Sequence, residues 1–97
     1  MAKPIVWLPL ARRNLDNQLA YIAERNPRAA VEVGDAVEQA IEQLDEFTHR
    51  IRPGRVPGTR ELVVVGTPNV VICRIEPHAV LILRVLHGAQ RWPPREG

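Results

Sequence analysis

The stretch LILRVLHGAQRWPPREG, residues 81–97, decides how this chain folds. Its first part is apolar at odd and even positions alike, with Arg84 set among Leu and Val. A strand with one wet face alternates, whereas a strand buried on both faces does not. Residues 79–87 (AVLILRVLH) therefore read as an interior strand of a sheet. The chain then releases His87, Gly88, Gln90, Arg91 and Trp92 within a few residues, a cluster able to hold anions or stack on bases.

Working outward, two β-rich runs precede this strand, Thr59–Val65 and Val70–Glu76. The connections GTPN (66–69) and Glu76-Pro77-His78 are turn-like, so the three runs form an antiparallel meander over 59–87. Residues 49–58 (HRIRPGRVPG) break all periodicity and read as a loop. Upstream, Ala11, Leu15, Leu19, Ile22 and Ala23 recur at helical spacing, with Pro9 suited to the first helical position. Asn26-Pro27 is a break. After it Ala30, Val33, Val37, Ile41, Leu44 and Phe47 form one apolar stripe, with acids at 32, 35, 38, 42 and 45 outside it. These segments predict a helical hairpin over about 9–48. PIVWL (4–8) reads as a short strand that can lie beside the last one.

The order is β-α-α-β-β-β, a single α+β domain over 1–97 with a C-terminal tail from 88. The economical packing is a curved, mainly antiparallel sheet with both helices on one face and the other face open. Counting by parity puts Arg74 and Arg84 on one face with Ile72 and Ile82, and Val71, Cys73, Leu83 and His87 on the other. A bulge near residues 85–87 would change that count.

Composition narrows the chemistry. The first 48 residues hold five Lys/Arg against eight Asp/Glu, and the remainder holds eight Arg against three Glu, so a basic half suited to an anionic partner follows an acidic one. Twelve of the thirteen cations are Arg, whose planar fork fits phosphate or carboxylate. There is no serine, which excludes a serine-triad hydrolase. The only lysine, Lys3, is at the chain end, a poor place for a Schiff base. The glycines at 54, 58, 66 and 88 follow no phosphate-binding fingerprint, and no Cys/His spacing suggests zinc, so no metal or cofactor is expected. The single cysteine, Cys73, allows no internal disulfide and fits a reducing cytoplasm. No apolar run approaches the ~18 residues of a membrane span, and neither membrane association nor a cleaved leader is expected.

The stretches PGRVPGTREL (53–62) and ILRVLHGAQRWP (82–93), at the start and end of a meander in a chain of this order, resemble the RelE/ParE superfamily of toxins from bacterial type II toxin–antitoxin systems. The resemblance covers nearly the whole chain. It implies a small growth-inhibiting protein held silent in a hetero-oligomer by a cognate antitoxin, whose C-terminal segment wraps the toxin in this superfamily. It also implies one of two targets. RelE-like members cut mRNA on the ribosome without a metal, and ParE-like members poison DNA gyrase and stabilise plasmids.

Metal-free RNA cleavage needs a base, cations for the phosphate and a stacking plane. The catalytic candidates for that reading are His87, whose unperturbed pKa is about 6.5, with Arg60 and Arg84 as phosphate braces. Trp92 would supply the stacking plane. The only tyrosine is Tyr21, in the first helix, and no Lys lies beyond residue 3, a thin set for a nuclease. Gyrase poisoning asks for a shaped basic surface and no acid/base pair, and it is the favoured reading. Arg52, Arg55, Gln90, Arg91 and Trp92 are then target- or antitoxin-binding candidates. A third reading is a non-toxic binding module that retains the fold. Structural roles stand beside these: Arg84 paired to Glu61 or Glu76, His87 bonded to a backbone carbonyl, Trp92 folded back over the sheet, and Cys73 in the core.

Overall fold

A computed structural model describes residues 3–44, 51–88 and 92–93. The elements are β1 (Ile5–Trp7), α1 (Pro9–Ala23), α2 (Pro27–Glu42), β2 (Ile51–Pro53), β3 (Arg60–Val63), β4 (Asn69–Ile75) and β5 (Val80–His87). They form one five-stranded sheet in the order β1-β5-β4-β3-β2. β1 runs parallel to β5, and the other neighbours are antiparallel. The two-sided apolar strand is β5, flanked by β4 and β1 as its sequence requires.

Each helix opens on proline at its first turn, where the missing N–H has no intrahelical partner to lose. Asn26 caps α2, its Oδ1 accepting the Ala29 N–H at 3.1 Å. The helices pack at Gly34, where a Cβ would approach Leu19 Cδ1 to 3.1 Å, so the small residue sets how close they come. Ala11 and Leu15 of α1 and Val37 and Ile41 of α2 bury against Leu62, Val71, Cys73, Ile82 and Val85 of the sheet. No helix among the described residues is long and apolar enough to cross a membrane.

Three sequence expectations need correction. The loop 49–58 contains a strand, β2, at 51–53. Proline and glycine hid it, but β2 is the outermost strand and Pro53 its last residue, a place where a missing N–H does no harm. The second helix ends at Glu42: Leu44 N–H bonds to Ile41 O at 3.0 Å, a three-residue closure that tightens the last turn and ends the helix. Phe47 and the rest of 45–50 lie outside the described residues. The parity count fails at one step, because Ile72 pairs Arg84 while Cys73 pairs Ile82. Leu83 is the extra residue of a bulge, which turns Ile82 into the core with Cys73 and leaves Arg84 on the opposite face.

Candidate functional site: an arginine and tryptophan cluster on the sheet

The strand registers line up Arg52, Glu61, Ile72 and Arg84 as one row across β2, β3, β4 and β5, on the face turned away from the helices. The sequence expectation of an open face holds in part: Val6 and Val63 on it are 43% and 36% exposed, but its middle is covered. Ile72 is 1% exposed, Leu86 4% and Glu61 3%. Trp92 folds back over them and lines a half-open hollow of about 40 Å³ with Arg52, Arg55, Val70, His87 and Gly88.

A buried carboxylate organises the row. Glu61 Oε1 accepts from Arg52 Nε (3.3 Å) and Nη2 (3.1 Å). Its Oε2 accepts the Arg55 backbone N–H at 3.1 Å, with Arg55 Nε at 3.8 Å. The PGRVPGTREL stretch is thus a hairpin whose loop is tied to its own second strand. Gly54 N–H donates to Thr59 O at 2.8 Å, and Thr59 Oγ1 donates to Val56 O at 2.6 Å. Gly54 has no room for a side chain, because a Cβ would collide with Thr59. Gly58 adopts φ 84°, a turn geometry that other residues resist.

Arg84 has a different partner from either carboxylate expected of it. Its Nε donates to Asn14 Oδ1 at 2.8 Å, and its guanidinium lies 5.7 Å from the Trp92 ring centroid. Arg55 Nη1 reaches the Trp92 carbonyl at 3.5 Å. Arg52, Arg55, Arg84 and Trp92 are therefore one cluster. Arg60 is not part of it. Arg60 pairs Cys73 and shares the helix-side parity of Leu62, and it lines a separate hollow with Lys3, Thr59 and Glu76. His87, at the end of β5, touches the small Trp92 cavity and also a groove of about 530 Å³ with Asn17, Gln18, Tyr21, Ile22 and Val33. Gln90 and Arg91 lie outside the described residues. Cys73 is core, and burial pushes its thiol up to about 11 against a smaller opposing pull from Arg60. Among the described residues no three His, Cys, Asp or Glu gather as metal ligands.

Sequence reasoning missed Asn14 and Gln18. The signal was present: they occupy positions within the 11, 15, 19, 22 stripe of α1, where polar residues need a partner. They find it on β5. Val85 N–H donates to Asn14 Oδ1 at 3.2 Å and Gln18 Nε2 donates to Val85 O at 2.9 Å.

The chain resembles known proteins along most of its length. It is 41% identical over 91 residues to a candidate toxin, Y4kP, of Sinorhizobium fredii, covering 94% of each chain. It is 30% identical over 83 residues to toxin RelE1 of Caulobacter vibrioides, covering 84% of this chain and 88% of that one. The chromosomal ParDE toxin–antitoxin system of P. aeruginosa contains a chain of the same fold, with TM-score 0.77 at 22% identity, covering 86% and 92% of the two chains. A chain of the toxin–antitoxin complex RelBE2 of Mycobacterium tuberculosis superposes with TM-score 0.59 at 27% identity, covering 90% and 99%. The family model for the ParE toxin of the type II toxin–antitoxin system parDE matches residues 5–92, the whole span from β1 to Trp92, and the chain belongs to that family.

Proposed function

We propose that the chain acts in the cytoplasm as a growth-arresting toxin, that it poisons DNA gyrase, and that a cognate antitoxin binds it and silences it. The observation that carries the choice of target is the division of the nuclease candidates. Among the hollows formed by described residues, Arg60 lines one and His87 two others, none holds His87, Arg60 and Arg84 together, and Arg84 packs against Trp92 and Asn14. The cavity where His87 meets Arg52, Arg55 and Trp92 holds about 40 Å³. That is room for a water, far below the ~300 Å³ or more of a small-molecule site. What this face offers is a shaped surface of arginines held by Glu61 and Asn14, suited to recognition.

The test is induced expression without antitoxin, with purified gyrase assayed in parallel. Inhibited supercoiling and a DNA-damage response, with mRNA intact, are the expected results. Rapid translation arrest with cleaved mRNA would overturn the gyrase reading in favour of ribosome-dependent cleavage. The shared lining of His87, Arg52, Arg55 and Trp92 is the observation that favours that second reading. Growth unaffected in both assays would leave a binding module without toxicity. His87→Gln separates the first two: a gyrase poison stays toxic, and a nuclease using His87 as acid or base does not.

A further inference from the structure

We propose that Asn14 is the positioning residue for an anion-receiving fork on Arg84, and that the occupant of the fork is a carboxylate side chain of the protein target. The proposal deepens the reading of the chain as a toxin with a protein target, and rests on it.

The geometry begins at a gap in the sheet. β1 has three residues, and the last backbone bond on that edge of β5 runs from Leu8 N–H to Ile82 O at 3.0 Å. Beyond it, β5 would show bare backbone groups. α1 crosses the gap, and Asn14 and Gln18, one turn apart, take the place of a strand: one accepts Val85 N–H and the other donates to Val85 O. To this extent the two side chains are equivalent.

Asn14 differs in one respect. The same Oδ1 also accepts Arg84 Nε at 2.8 Å, the shorter of its two bonds. With Nε engaged and the guanidinium against Trp92, the side chain is held at two points. Neither terminal amino group of Arg84 makes a hydrogen bond among the described residues, and the edge between the two is the one that receives a carboxylate end-on. Arg84 makes no ion pair among the described residues, whereas Arg52 and Arg55 are both paired to Glu61. A nucleic-acid backbone is held by a track of free cations. Here Arg52 and Arg55 share the one carboxylate of Glu61, and Arg84 is the arginine of the row with no carboxylate among the described residues, so the fork is matched to a single carboxylate taken up in the same way.

Gln18 supplies the control, because Gln18→Leu removes the companion edge bond and leaves Arg84 untouched. Wild type, Asn14→Leu, Gln18→Leu, Arg84→Ala and the Asn14→Leu/Arg84→Ala double variant are compared for growth arrest on induction. Arg84 Nε–H is followed by NMR in the purified chains. Asn14→Leu and Arg84→Ala should each raise the dose for arrest about tenfold, the scale of one hydrogen bond to a charged group. The double variant should lose no more than either single one, and Gln18→Leu should arrest growth like wild type. The Arg84 Nε–H signal should be protected from exchange in wild type and Gln18→Leu and lost in Asn14→Leu. Equal losses in Asn14→Leu and Gln18→Leu, or multiplicative losses in the double variant, would overturn the positioning role. The occupant is tested by binding to gyrase protein without DNA. Binding lost in Arg84→Ala supports a protein carboxylate, and binding that requires DNA overturns it. A wild-type chain that arrests growth without touching gyrase removes the target reading alone, and the growth and NMR comparisons still decide Asn14.

Discussion

Both faces of the sheet bury apolar residues, but by different chemistry. On the helix side Leu15, Val37 and Ile41 press on Val71, Ile82 and Val85, all 1% exposed or less. On the far side Ile72 and Leu86 are nearly as deep, yet their cover is Trp92 and a carboxylate–arginine network. Helix-side burial is non-directional and scales with area. The far-side cover depends on a few bonds with fixed geometry, each mattering only while its partners stay in place. The helix face therefore carries the stability of the fold, and the far face carries a shape.

The largest effect expected of this division is in the helix-side core. Leu15→Ala removes a fully packed side chain between α1 and the sheet and should cost about 2–5 kcal/mol. For a chain of 97 residues that is a large part of total stability, visible as a lower urea midpoint at unchanged slope. A loss below that of the far-side changes would break the comparison.

Next comes the network. Glu61→Ala should cost about 1–3 kcal/mol, because it strands the Arg55 N–H and frees two arginines. Both arginine side chains are more than half exposed, so little of that is Coulombic. Trp92→Ala should cost less, about 1–2 kcal/mol, and uncover Ile72 and Leu86. Binding of an apolar dye should rise with Trp92→Ala while the helix content holds. A dye signal that does not change would mean that Trp92 is not the cover.

These contrasts also mark what was legible from sequence. Apolar periodicity is a long-range regularity, so the hairpin, the meander and the interior position of residues 80–87 could be read. β2 could not, because a three-residue edge strand beside Pro53 and Gly54 has no period to detect. The bulge at Ile72 and Cys73 shifts one residue of register, and every parity argument past it inverts, as Ile82 shows. The site was half legible for a related reason. Trp92 folding back was among the readings, and Arg52, Arg55, Arg84 and Trp92 do assemble. Arg60 was grouped with Arg84 by charge, but neighbouring strand residues face opposite ways, and Glu61 took the place on the row. The Arg84 partner came from α1, seventy residues away, where composition gave no pointer to one asparagine.

The smallest expected effect is confined to high pH, and it sharpens the comparison from the core side. Cys73 is buried among apolar groups, and its pKa rises from 9.0 to about 11 because the thiolate would lose its hydration there. Below pH 9 folded and unfolded chains both hold the proton, and Cys73 adds no pH dependence. Between pH 9 and about 11 the unfolded chain releases it while the folded chain keeps it, so the unfolded state gains and stability falls. Other groups titrate in this window, so the measurement is a difference: urea stability of wild type against Cys73→Val, from pH 7 to pH 11. The difference should be flat up to pH 9, then move against wild type. In folded protein at pH 8 the thiol should resist a disulfide reagent and react only on unfolding. Parallel stability curves through pH 11, with a thiol that reacts in the folded chain, would mean that water reaches the helix-side core. The two faces would then differ in composition alone, and not in how tightly they are closed.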